Sequence, residues 1–216
     1  MTQQELDKII QDSKHNNTHM RGTNMQWADM QWADMRGVNM RGTNMQWANM
    51  REANMQEADM QWANMQEANM QWANMREANM QEANMQEADM QWANMQEANM
   101  QWADMRGVNM QGADMRGVNM QGADMRGANM QEANMRGADI DYASWPLWRG
   151  SLQAYIDDRI AIQLLYHVLS PVYYSPYVSD ELKRALLTPE LVAIANRFHR
   201  VAMGDCDELP TYKEVA

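Results

Sequence analysis

Two histidines, His15 and His19, stand four residues apart, the spacing that brings two imidazoles to one face of a helix as a metal pair. No carboxylate or third ligand nearby completes a site, so a surface pair is expected. Thioethers are soft ligands that suit Cu(I), and methionine recurs at every fifth position from Met20 to Met135. The single cysteine, Cys206, has no partner for an internal disulfide and no neighbouring His or Lys to activate a thiolate. The chain has no Gly-rich phosphate loop and no serine or cysteine paired with a base by motif. Its acids are spread along the repeats with no pocket in which one would be desolvated into a general acid. Neither an enzyme nor a cofactor is expected. What is left is surface chemistry: seven tryptophans, Trp27, Trp32, Trp47, Trp62, Trp72, Trp92 and Trp102, and a spaced acidic set, Glu57, Glu77 and Glu97.

The element that must position these side chains is a five-residue repeat. The residue two before each methionine is small, and the residue just before it is Asn or Asp in nearly every repeat. The two that follow are Gln or Arg, then Gly, Glu or Trp, as in Arg21-Gly22, Gln26-Trp27 and Arg51-Glu52. After Met135 the centre passes to Ile140 and Trp145, giving twenty-six repeats from Met20. On an α-helix, residues five apart are rotated by roughly 140°, so the methionines would spiral without forming a face. On a straight strand an odd period would send successive methionines to opposite sides. The chain must therefore turn once per repeat.

Turning by a right angle each time closes a square coil in four repeats, with methionine and the small residue inside. Stacked at about 4.8 Å, the repeats make about 6.5 coils and a solenoid roughly 30 Å long. Asn or Asp before the centre and Gly after it suit the corners. The methionines then line a dry core at one per side, a spacing that does not converge sulfurs on an ion, so packing is the expected role.

Counting in twenties assigns outward residues to sides. The side of Met35, Met55, Met75 and Met95 carries Gly37, Glu57, Glu77, Glu97, Gly117 and Gly137 and no tryptophan. The others carry Trp62 and Trp102; Trp27 and Trp47; and Trp32, Trp72 and Trp92, with Trp27 stacked over Trp47 and Trp72 over Trp92. Two roles compete for the tryptophans: a patch that docks a protein partner, or an indole ladder that stabilises the coils. The glutamates form either a solvated column relieved by Arg76 or a docking stripe for a cationic partner.

Repeats such as Ala58-Asp59-Met60-Gln61-Trp62 and Ala113-Asp114-Met115-Arg116-Gly117 resemble the pentapeptide-repeat family, whose pattern is A(D/N)LXX. The family usually carries Leu or Phe where this chain carries Met. The resemblance covers about 130 residues and implies a β-solenoid, specifically a right-handed quadrilateral β-helix. It also implies a second function: some members act as acidic, rod-shaped mimics of duplex DNA that bind a type II topoisomerase, DNA gyrase. The first remains a non-catalytic structural or interaction scaffold, a rigid rod that displays Trp, Arg and Glu columns to a protein partner not identified by the sequence.

The ends are expected to be helical. Residues 1–17 read as a short capping helix and approach segment, with a capping box at Thr2-Gln3-Gln4-Glu5 and with Leu6, Ile9 and Ile10 on one face. The solenoid occupies 18–147, and Ser144-Trp145-Pro146-Leu147-Trp148 reads as its seal. Residues 148–216 read as a small helical cap or homodimerisation region with an acidic tail. Its first helix spans 157–169 with Ile160, Leu164, Leu165 and Val168 on the apolar face and Pro171 as a stop. A second spans 179–187, with Leu182, Ala185 and Leu186 on its apolar face. A third, capped by Thr188-Pro189, bears Leu191, Ile194, Phe198 and Val201. His167 falls off the apolar stripe. Residues 18–140 hold nine arginines against sixteen acids, and the whole chain has a net charge of -11. That argues against direct nucleic-acid binding, including through Arg197, His199 and Arg200 of the helical end, and favours a basic partner or plain solubility. No basic segment followed by an apolar run opens the chain, and no stretch approaches the roughly 18–20 apolar residues of a membrane span. A soluble, cytoplasmic protein without a membrane partner is expected.

Overall fold

The computed structural model describes residues 5, 8–12, 20–146 and 154–211, with the side chains of residues 199 and 202 outside that description. His15 and His19, Leu6, most of the capping box, Leu147 and Trp148 lie outside the described residues. The chain forms two compact units, Met1–Ile156 and Asp157–Ala216.

The first unit is a parallel β-helix. Its rungs are single bridges, each joining the residue before one centre to its equivalent twenty residues later, from Asn24 with Asn44 to Asp124 with Ser144. Four repeats therefore close a coil. The repeat at Asn69-Met70-Gln71-Trp72-Ala73 shows why this sequence takes the turn. The Asn69 N–H donates down to Ala48 O at 2.9 Å, and those of Met70 and Trp72 donate up to Asp89 O and Gln91 O at 2.7 and 3.0 Å. The Ala73 N–H closes the turn on Met70 O at 3.1 Å, and the fifth, on Gln71, donates to Asn69 Oδ1 at 3.1 Å. All five amides of the repeat are thus satisfied, as buried backbone requires. The side-chain acceptor explains the Asn or Asp before nearly every centre: it is a local turn acceptor for the amide two residues on. Where Pro146 follows the centre there is no N–H to satisfy, and Ser144 replaces Asn or Asp.

The turn requires a left-handed residue at its third position, in the manner of a type II turn. Fifteen Trp or Glu residues and Tyr142 sit there with φ between 55° and 61°. Glycine would adopt this conformation freely, whereas another residue is strained by about 1 kcal/mol or more. The core offsets it. Every methionine from Met20 to Met135 is at most 2% exposed, and the small residue beside it is buried from Val38 to Ala138. In the first coil Thr23, Ala28 and Ala33 are only half-buried. There the Met20 carbonyl accepts from the hydroxyls of Thr23 and Thr43 at 2.8 and 2.7 Å. At the N-terminal end, residues 8–12 are helical (α1) and Ile10 is buried.

The ladder gains a rung beyond the last recognisable repeat. Tyr155 pairs with Asn134: its N–H donates to Ala133 O and its carbonyl accepts from Met135, both at 2.8 Å. Trp145 is half-buried and Pro146 buried.

The second unit contains α2 (Asp158–Tyr174), α3 (Asp180–Leu186), α4 (Pro189–Ala195) and α5 (His199–Ala202). Asp157, Ser179 and Thr188 cap the first three by accepting from the amide three residues on. Four expectations are corrected. The helix from Asp158 runs through Pro171 to Tyr174, one lost backbone bond being tolerated near its end. Its buried residues are Ile160, Gln163, Tyr166 and Leu169, while Val168 is exposed. The last helix breaks after Ala195, because the Asn196 side chain turns to Leu209, donating to its carbonyl and accepting from its amide at 2.9 Å each. Leu182 and Ile194 are exposed, not inward. The core joins Tyr166 and Leu169 to Leu187, Val192, Ala195, Phe198 and Leu209. Among the described residues no helix is long and apolar enough to cross a membrane.

Burial sets an order of oxidation by peroxide. Met203, 68% exposed, should become a sulfoxide first, with Met20 to Met135 following only as the fold opens. Peptide mass spectrometry showing the repeat methionines oxidised as fast as Met203 in the native protein would contradict the packed core.

Candidate functional site

The strained turn position is also the one that points away from the core, so the outward columns and the backbone strain belong to the same residues. On one side, Trp27 and Trp47 stack with ring centres 4.6 Å apart and planes 12° from parallel. On the next, the Trp32 indole N–H donates to Glu52 Oε2 at 3.2 Å, and Trp72 stacks on Trp92 at 5.6 Å and 17°. On the side of Met60 and Met100, Arg41 lies 4.6 Å over the Trp62 ring, a cation–π contact, and Trp102 and Tyr142 continue the column. Six of the seven predicted tryptophans are exposed, and Trp47 is half-buried.

Two of these indoles lean onto the next coil. A Cβ built on Gly112 would fall 2.2 Å from the Trp92 ring, and one on Gly122 2.2 Å from the Trp102 ring. These two glycines are seats for aromatic rings as well as left-handed turn residues. Gly42 lies on the same side as Gly122, yet a Cβ there would meet nothing within 4 Å.

The acidic column stands as Glu57, Glu77 and Glu97 on the side without tryptophan. Arg76 pairs with Glu77 at 2.8 Å, and the Gln56 amide reaches Glu57 at 3.4 Å. A shallow depression of about 530 Å³ is bounded by Arg36, Gly37, Gln56 and Glu57.

A further polar system is not apparent from the columns alone. Where Asp precedes the centre and Arg follows it, the guanidinium folds back to hold both carboxylate oxygens, in Asp34–Arg36, Asp104–Arg106, Asp114–Arg116 and Asp124–Arg126, at 2.6 to 3.2 Å. Where Gln follows the centre one coil below an Asp, its amide reaches up instead: Gln71 to Asp89, Gln86 to Asp104, Gln96 to Asp114 and Gln121 to Asp139. The clamp's sequence signal is the tripeptide Asp-Met-Arg. The arginine hydrogen bonds hold Asp104, Asp114 and Asp124 below the usual carboxylate range, against a smaller opposing effect of burial. Among the described residues no group of three His, Cys, Asp or Glu side chains could hold a metal ion, and Cys206 is half-buried.

The ring seats and the clamps can each be tested by melting. Gly42→Ala should incur the left-handed strain alone, whereas Gly122→Ala also meets the Trp102 ring and should destabilise by roughly 1–3 kcal/mol more, a difference that disappears when Trp102 is Gly. Equal melting of the two single variants would remove the seat. The depressed Asp values mean that their contribution is present above the ordinary Asp value of about 4 and is lost as pH falls below it. A variant with Asp104, Asp114 and Asp124 all changed to Asn should therefore melt slightly below the parent at neutral pH, the pairs being largely exposed, and the gap should close in acid. A constant gap across pH would exclude the clamps as its source.

A family model described as pentapeptide repeats matches in eight copies, over residues 10–42, 43–81, 73–112, 83–122 and 103–141. No curated protein matches the chain. Among solved structures, the chain is similar to HetL from Nostoc sp. strain PCC 7120, a pentapeptide repeat protein involved in regulating heterocyst differentiation. That match has 24% identity and a TM-score of 0.42, covering 62% of this chain and 65% of HetL. This chain thus spans less than two thirds of that relative. A pentapeptide repeat protein of the Arabidopsis thaliana thylakoid lumen matches at 19% identity and a TM-score of 0.31, over 54% of this chain and 71% of its own. Trypsin-treated QnrB1, a plasmid-mediated fluoroquinolone resistance protein, matches at 13% and 0.33, over 69% and 89%. With the repeat model running across more than half of its length, the chain belongs to the pentapeptide-repeat family, whose fold is the right-handed quadrilateral β-helix.

Proposed function

We propose that the protein is a non-catalytic interaction scaffold whose β-helix holds Trp, Arg and Glu columns in fixed register for a protein partner. The observation that carries this reading is the placement of Trp72 and Trp92. Both occupy a backbone conformation that Gly would adopt without strain, and both keep large exposed area, 55% and 42%, even after stacking on each other. Large aromatic surface at rigid positions is what interface centres use. The helical unit adds a self-association contact, supported by exposed Val168, Leu182, Ile194 and Met203.

The competing reading is an acidic mimic of duplex DNA bound to DNA gyrase. Net negative charge is compatible with it, yet Asp34, Asp104, Asp114 and Asp124 are each held by an arginine of their own repeat. The charge a mimic must present is thereby partly neutralised at its source, and the scaffold reading is favoured.

Affinity purification from the source organism, comparing the intact chain with Trp72→Gln/Trp92→Gln, tests the scaffold. Glutamine keeps the backbone conformation and removes the indoles. A protein retained by the parent and lost from the variant is expected; an unchanged partner set would reduce the tryptophans to scaffold. On the same preparations, a supercoiling assay should show no gyrase inhibition, and sedimentation should show a dimer weakened by Leu182→Glu/Ile194→Glu. Inhibition of gyrase would favour the mimic, and a monomeric parent would remove the self-association contact.

A further inference from the structure

We propose that the side of the β-helix carrying Trp62, Trp102 and Tyr142 binds an extended, neutral β-1,4-linked glycan chain. These three aromatics occupy the same turn position on the same side, two coils apart each time, since each coil takes twenty residues. Their φ values, 58°, 59° and 59°, give them a common backbone orientation. All three are exposed, by 50%, 59% and 64%. Glycine fills this position at Gly22, Gly42 and Gly122 of the same side, so the turn itself does not call for an aromatic.

The spacing separates this column from the other tryptophans. Trp27 and Trp47, like Trp72 and Trp92, lie on adjacent coils and stack on each other. Aromatics two coils apart are separated by roughly 10 Å along the axis, too far to stack mutually. That interval is close to the disaccharide repeat of a β-1,4-linked chain in its flat, two-fold extended form, in which every second sugar presents the same face. A pyranose has an apolar C–H face that stacks on an aromatic ring and an equatorial rim of hydroxyls that needs hydrogen-bonding partners. The side supplies both, Trp62 remaining half exposed with the Arg41 guanidinium over one face of its ring. Between the first two aromatics stands exposed Glu82, an acceptor for hydroxyls. Alongside runs an amide column in which Gln101 donates to Gln121 at 3.0 Å and Gln121 to Asp139 at 2.9 Å.

Charge excludes the other ligand that stacks on spaced aromatics. A single-stranded nucleic acid needs a positively charged groove along its backbone, and this chain carries a net charge of -11. A neutral polysaccharide meets no such penalty. The site is independent of the protein-partner surface at Trp72 and Trp92, on a different side.

The test uses the intact chain with microcrystalline cellulose and chitin powder in depletion assays, and with cellohexaose by calorimetry and tryptophan fluorescence. One variant carries Trp62→Gly, Trp102→Gly and Tyr142→Gly, which gives these three coils the residue found at Gly22, Gly42 and Gly122 of the same column and leaves Glu82 in place. A second carries Trp27→Gly and Trp47→Gly on another side, and melting curves verify that both fold. Expected are binding by the parent, at least a tenfold loss in the triple variant, and little change in the double variant. Amylose, whose α-1,4-linked chain coils, should bind far more weakly. Failure of the parent to bind any β-1,4-linked probe, equal losses in both variants, or equal binding of amylose would overturn the proposal.

Discussion

The corners of the β-helix from Met25 to Ile140 depend on one hydrogen bond within the repeat, from the amide after the centre to the Oδ1 of the Asn or Asp before it. Without it, the amide of Gln71 or Arg116 would be the one N–H of its repeat with neither an intercoil nor a turn acceptor. With it, three amides of each repeat serve the neighbouring coils and two close the corner. The repeats are consequently weak alone and strong in a stack, as expected where each layer contacts only its neighbours. Ser144 and Pro146 show the same rule by exception, the acceptor being dispensed with where the donor is missing.

The corner also divides the repeat into parts under different physical control. Methionine and the small residue are governed by packing in a narrow dry core, where an unbranched thioether adapts to its neighbours. The left-handed residue is governed by backbone strain and by what stands in its column one coil away. Neighbouring coils therefore communicate along the surface as well as through the core. Trp92 leans into space that only Gly112 leaves open, and Trp32 hydrogen-bonds to Glu52.

The inward pattern and the coil could be read from the sequence because a five-residue period is incompatible with a straight helix or strand. The helical unit was less legible. A 3.6-residue stripe fits Val168 as well as Leu169, and only packing against Leu187 and Phe198 decides which is inside. Pro171 reads as a stop from local rules, yet the helix continues to Tyr174. On the surface, stacking of Trp27 on Trp47 follows from counting in twenties, whereas the seating of Trp102 over Gly122 depends on rotamers that no residue count specifies. The Asp–Arg clamps were visible in principle as Asp-Met-Arg, but both residues read locally as turn acceptor and solvated charge.

The square cross-section makes the gene's length changes unequal in effect. Because one coil is four repeats, as the offset from Asn24 to Asn44 shows, inserting or deleting four repeats lengthens or shortens the solenoid while every downstream residue keeps its side. Adding a single repeat of five codons rotates everything after it by a quarter turn. An insertion between Met60 and Met100 would carry Trp102 off the side of Trp62 and onto the one that bears Trp27 and Trp47. In such a molecule, the arithmetic of duplication chooses which surface residues become neighbours without altering any of them.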